Sequence, residues 1–232
     1  MIKHSFFLRL ALVFALAGLT ACGGGGGTSS TSTSSETFQL RAAFINYFND
    51  SHSYPFTVSG SISDISVTGS GTTTEGSQTA SSFEGKAAQA KTSTMTATLT
   101  GGGKSLPLAG TDTTYIDSNY TLLGFAGSAE YEVATAVALP LTARVNDTGI
   151  WYNSIRYSNA SKTRQVGTAV GSYVLEPDSA STALLKIIVK EKDTSDSVTS
   201  TSTLTFRITT AGGLTRLSET LTEGSAMLTL SY

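Results

Sequence analysis

The chain has 232 residues, 15 Lys and Arg against 17 Asp and Glu, two histidines and one cysteine. A mildly acidic balance with scattered lysines gives no electrostatic footprint for nucleic acid and no polybasic patch for anionic headgroups. One cysteine excludes an intramolecular disulfide, and so few His and Cys residues leave little from which to build a metal centre.

Lys3, His4 and Arg9 precede an apolar run from Leu10 to Leu19, which ends in Leu19-Thr20-Ala21-Cys22. Charged start, short apolar middle and small residues at the cut make a secretory signal. The run is about half of the 20 apolar residues that cross a bilayer, and five glycines follow the cysteine. A plain signal peptide would not call for Cys22. The segment resembles the lipobox of bacterial lipoproteins. The resemblance implies cleavage before Cys22, a diacylglycerol on its sulfur and acylation of the new amino terminus. Three acyl chains would make a durable anchor where one short chain would not. Gly23 stands where enterobacterial lipoproteins kept at the inner membrane carry aspartate, so the resemblance favours the outer membrane, on either face. The expected organisation is signal 1–21, lipidated cysteine and tether 22–36, and a globular domain 37–232. Without residues 1–21, 13 basic residues face the same 17 acidic ones, a net charge of about −4.

Gly23 to Ser35 contains only Gly, Ser and Thr, a composition that cannot bury apolar surface and reads as a solvated spacer. Thr37 to Asn49 follows as a helix: Leu40, Phe44, Tyr47 and Phe48 form one stripe, with Thr37 as N-cap and Asn49-Asp50-Ser51 as stop. From Phe56 the period becomes two. Threonines alternate with Met95, Ala97 and Leu99, then Gly101-Gly102-Gly103 supplies a turn. Further strands are expected at Thr111–Ile116, Tyr120–Phe125, Ala183–Lys190, Leu204–Ile208, Leu214–Leu221 and up to Tyr232. The fold class is therefore mainly β: antiparallel meanders in one or two curved sheets, with one helix near the start packed against a sheet. Glu84 and Glu176, and Tyr115 and Phe206, stand 92 and 91 residues apart, which suggests a duplication with halves 56–133 and 139–232. Almost no lipid-facing apolar band marks Ser61–Thr74 or Ser195–Thr203, which argues against a membrane-spanning barrel.

Catalytic signals are sparse. Beyond the signal the only histidine is His52, in a polar turn and read as a surface residue. Glu84, Glu130, Glu132, Glu176, Asp193 and Asp196 read as solvated carboxylates rather than paired acids or a calcium loop. Gly101-Gly102-Gly103-Lys104-Ser105 lacks the spacing of a phosphate loop. Trp151 and Tyr157 are candidates for stacking on a ligand, with core packing as the alternative. No catalytic residue, metal ligand or cofactor is assigned; Cys22 is the lipidation site, and the membrane is reached through its lipid. The expected function is a non-catalytic, anchored binding or envelope-structural protein with an unidentified protein or envelope partner. A carrier of an apolar or lipidic ligand in a curved sheet is the alternative, and a hydrolase comes third.

Overall fold

The computed structural model describes residues 35–232; the signal segment, Cys22 and nearly all of the spacer lie outside the described residues. Helix α1 (Leu40–Asn49) is followed by β1 (His52–Ile62), β2 (Ile65–Glu75), β3 (Thr79–Phe83), β4 (Lys86–Gly101), β5 (Lys104–Ile116), β6 (Leu122–Gly127) and β7 (Tyr131–Ala136). The remaining strands are β8 (Thr148–Tyr157), β9 (Gln165–Pro177), β10 (Thr182–Lys192), β11 (Val198–Thr209), β12 (Leu214–Glu223) and β13 (Ala226–Ser231).

Each strand pairs antiparallel with its neighbour in the chain, apart from the step between β2 and β3, and β13 returns to pair with β1. The β2 and β3 strands both pair with β4, against its second and first halves respectively, and so act as two pieces of one stave. The sheet closes on itself as a twelve-stranded barrel, with β2 returning to β4. The expected meanders are thus joined into one closed sheet.

Alternation dictates which atoms fill it. On β4, Met95, Ala97 and Leu99 are buried, while Thr94, Thr96, Thr98 and Thr100 are exposed. Outside, Thr92 meets Thr113 and Thr94 meets Thr111 through hydroxyls 3.3 and 3.1 Å apart, cross-strand pairs that tie β4 to β5. Inside, Phe56, Val58, Met95, Leu99, Leu228 and Leu230 form one cluster towards the β1–β2 and β4–β5 hairpins. A second cluster, around Leu175, Leu185, Ile187, Phe206 and Ile208, packs against α1 at the other end. Burying a large apolar side chain contributes about 1.5–3 kcal/mol, so the inward faces carry the stability. Gly102 and Gly103, at φ 56° and 73°, make the β4–β5 turn as the sequence requires.

The helix starts later than its sequence suggests. Its N-cap is Gln39, without a side-chain cap, and Thr37 instead accepts a hydrogen bond from Arg144 Nε at 3.3 Å. Phe38 bridges Ala143, so the entering chain is stapled to the β7–β8 connection before the first helical turn. The landmarks suggesting duplication occupy unlike places. Phe206 points inward onto Tyr47, whereas half-buried Tyr115 stacks on Phe83 at 4.6 Å. Glu84 sits in a turn at φ 50°, and Glu176 in strand β9.

Candidate functional site

The helix lies across one mouth of the barrel. Its residues touch β2, β4, β8, β11 and the β11–β12 and β7–β8 connections, which surround that opening. Phe44 packs on Trp151 at 5.2 Å and Tyr47 on Phe206 at 5.3 Å. Arg41 Nε donates to Leu139 O at 2.7 Å, and an added Cβ on Gly212 would come within 3.4 Å of the helix backbone. Helix and barrel are therefore one packed unit, with α1 as a plug.

Buried charge fixes the plug's C-terminal end. Lys91, on the inward face of β4 two residues before Ser93, is 5 % exposed. Its ammonium donates to the carbonyls of Tyr47 (2.9 Å) and Asp50 and lies 3.5 Å from that of Phe48. A strand lysine thus caps the helix, where the dipole and the orphan carbonyls favour a cation. Glu75 Oε2 is 3.6 Å from the same ammonium, and Glu75 Oε1 accepts from Tyr47 OH at 2.7 Å. Arg216 continues the chain of contacts, 3.2 Å from Glu75 and 2.8 Å from Glu219, with its guanidinium 4.2 Å from the Tyr232 ring centre. Burial pushes the Lys91 ammonium below its ordinary pKa, with Glu75 opposing. Burial also raises Tyr47 and Tyr232, assisted by Glu75 and Glu219 respectively, and pushes Tyr54 up to about 12. Burial raises the Glu219 carboxyl too, against the pull of Arg216.

A second buried network centres on Arg156 of β8. Its Nη2 lies 2.9 Å from both Glu130 and Glu191, and its Nε 3.8 Å from Glu132. Ser154 donates to Glu132 and Ser200 to Glu191, both at 2.9 Å. The three carboxylates converge within 4.8 Å of one another, close enough to hold a metal ion, but the guanidinium already places a cation among them. Glu130 and Glu132 are thus ligands of an arginine rather than the solvated pair their sequence suggests.

Between plug and wall lies a cavity of about 80 Å³, lined mostly by apolar groups including Phe44, Phe125, Trp151, Ile187 and Phe206. Ser93 Oγ and Tyr152 OH, on two of its lining residues, are buried with no hydrogen-bond partner among the described residues. Typical ligand pockets run about 300–1,000 Å³, so this space suits solvent or a very small molecule.

His52 opens β1 beneath the helix, half-buried rather than in a surface turn. Its ring stacks between Tyr47 (4.8 Å) and Tyr54 (5.3 Å), and Nε2 is 3.1 Å from Tyr47 O. That partner is a backbone carbonyl, not a hydroxyl nucleophile or a carboxylate. Trp151 is buried against Phe44, and a bulge between Ile150 and Tyr152 turns its ring inward beside Tyr152. Tyr157 is half-buried six residues farther along β8, roughly 20 Å away, so the two rings do not form one platform. Glu84 pairs with Lys162 and accepts from Tyr131 OH at 2.8 Å on the outside. Glu176 lies 2.6 Å from Lys186, and Asp193 Oδ1 organises its own turn through Ser195 and Ser197.

The residues that organise the interior are Glu75, Lys91, Arg156, Glu191, Arg216 and Glu219, none of which sequence reasoning singled out. Two of them carry a signal: Lys91 shares the parity of Met95 and Leu99, and Glu191 that of Leu185 and Val189. A charge in register with an apolar face is the mark of a buried ion pair. Fold and site together define a closed up-and-down β-barrel plugged by helix α1. Comparison with family models, curated proteins and solved structures finds no match to the chain.

Proposed function

We propose that the chain is an exported lipoprotein, anchored in the bacterial outer membrane by acylation of Cys22, whose barrel is a non-catalytic binding or envelope-structural body. The anchor rests on Leu19-Thr20-Ala21-Cys22 and the Gly, Ser and Thr stretch after it. One observation carries the non-catalytic reading: the interior charged groups are engaged with each other and with the helix backbone. Glu75, Lys91 and Arg216 hold the plug, and Arg156 is engaged by carboxylates and the Lys192 carbonyl, so these groups serve the fold. The apolar space between plug and wall, about 80 Å³, weighs against a lipid chain held beneath the helix. What the barrel offers a partner is its outer face, rich in Thr and Ser.

Cys22→Ser in a bacterium fed labelled palmitate should leave an uncut, unlabelled precursor; mature acylated protein from that variant would sink the anchor reading. His52→Ala should cost about 1 kcal/mol and abolish no hydrolytic activity. A hydrolase activity that disappears in this variant would overturn the non-catalytic reading.

A further inference from the structure

Eight large apolar side chains are exposed among the described residues; Ile65, Leu106, Ile155, Val198 and Met227 lie elsewhere on the barrel, and the three most exposed share one place. Val137, Leu141 and Ile150 are 58 %, 66 % and 56 % exposed, and all belong to the β7–β8 connection or its margin. Val137 N donates to Trp151 O, which brings it beside Ile150. The same connection receives the incoming chain: Phe38 pairs with Ala143, and Arg41 N donates to Leu141 O. Chain preceding residue 35 therefore leaves the barrel beside this patch.

We propose that Val137, Leu141 and Ile150 form a bilayer-contact surface that seats the plugged mouth of the barrel on the membrane to which Cys22 is attached. The proposal rests on the lipid-anchor reading given above. The 13 residues Gly23–Ser35 can span no more than about 45 Å. Attachment over that distance turns insertion into an intramolecular event at an effective concentration of about millimolar, so a few apolar side chains suffice. The connection suits the polar–apolar boundary, because Leu139 O, Leu141 O and the Phe38–Ala143 pair already have hydrogen bonds. Charge contributes little: Arg41 and Arg144 flank the patch, with Glu36 and Asp147 close to them in the chain. Contact should accordingly form on zwitterionic lipid and persist at high salt.

The test uses the chain from Cys22 onward, coupled through its single thiol to maleimide-bearing lipid in phosphatidylcholine vesicles. Attachment then does not depend on acylation in a cell. Leu141→Trp is compared with Thr98→Trp, an exposed outer position near the β4–β5 hairpin at the opposite end, and native Trp151 sets the background. Lipids brominated near the headgroup should quench Leu141→Trp about twofold or more above Thr98→Trp, with no loss at high salt. Equal quenching at both positions, or none at Leu141→Trp, overturns the proposal. Should either variant fail to fold, hydrogen exchange of the unsubstituted chain decides the same question. Amides of residues 137–139, 141 and 142 should exchange more slowly when the chain is tethered, and unchanged exchange overturns the contact. An acylated Cys22→Ser protein would defeat the anchor reading while leaving these results readable.

Discussion

Replacing Lys91 by Met removes the ammonium that caps α1 while keeping a flexible side chain of similar length. The carbonyl of Asp50 loses its Lys91 donor, that of Tyr47 keeps the His52 ring 3.1 Å away, and Glu75 keeps Arg216 and Tyr47 as partners. Breaking one side of a buried ion pair costs about 3–5 kcal/mol, because the remaining charge stays desolvated. The lowered Lys91 pKa marks an opposing gain, since Met has no charge to bury. The Glu75 carboxylate, 5 % exposed and left with one cation fewer, outweighs that gain because its charge stays out of water. For a domain near 200 residues, each kcal/mol shifts the melting midpoint by about 2–4 °C, so Lys91→Met should fall by about 6–20 °C. Urea unfolding followed by circular dichroism gives the free energy, and fluorescence of Trp151, packed on Phe44, reports whether the helix leaves first. Combination with Glu75→Gln should show a coupling of about 0.5–3 kcal/mol, as for residues in contact. A loss below about 1 kcal/mol together with additive behaviour would refute the view that Lys91 holds the plug.

Alkaline pH should destabilise the barrel. Burial raises Tyr47, Tyr54, Tyr131, Tyr152, Tyr173 and Tyr232, so the folded state holds phenol protons that the unfolded chain releases near its ordinary value of 10.0. Their contribution is complete below that pH and lost as pH rises through the folded values. Lys91 acts in the opposite sense, gaining stability between its lowered folded pKa and 10.5, but it is one group against six. The urea midpoint should therefore fall between about pH 9 and about pH 11; a constant or rising midpoint would contradict the burial of these phenols. Gly171→Ala should cost about 1–3 kcal/mol, because the added Cβ would lie 2.1 Å from Tyr152 Cε1. That fully buried ring packs on Phe125 and Trp151, and an unfolding midpoint equal to the parent's would show it free to move.

The strands were legible because alternation is a local signal. Threonine against Met95, Ala97 and Leu99 states which face is inside wherever the strand is placed, and Gly102 and Gly103 state where it turns. The helix was legible from the spacing of Leu40, Phe44 and Phe48, but its first turn was not. Thr37 is drawn to Arg144, 107 residues away, a partner that no local rule supplies. Closure of the sheet depends on β13 meeting β1 and β2 meeting β4, pairings set by curvature and stagger accumulated over every strand. The site depends on closure in turn. Lys91 reads as a surface lysine in a Thr-rich strand until the barrel turns that face inward and lays a helix end on it. Sequence alone set the strand faces, the turns and the candidate anchor at Cys22. Tertiary structure decided that the charges of Glu75, Lys91, Arg156 and Arg216 lie inside, because only a closed barrel gives four distant strands one common interior.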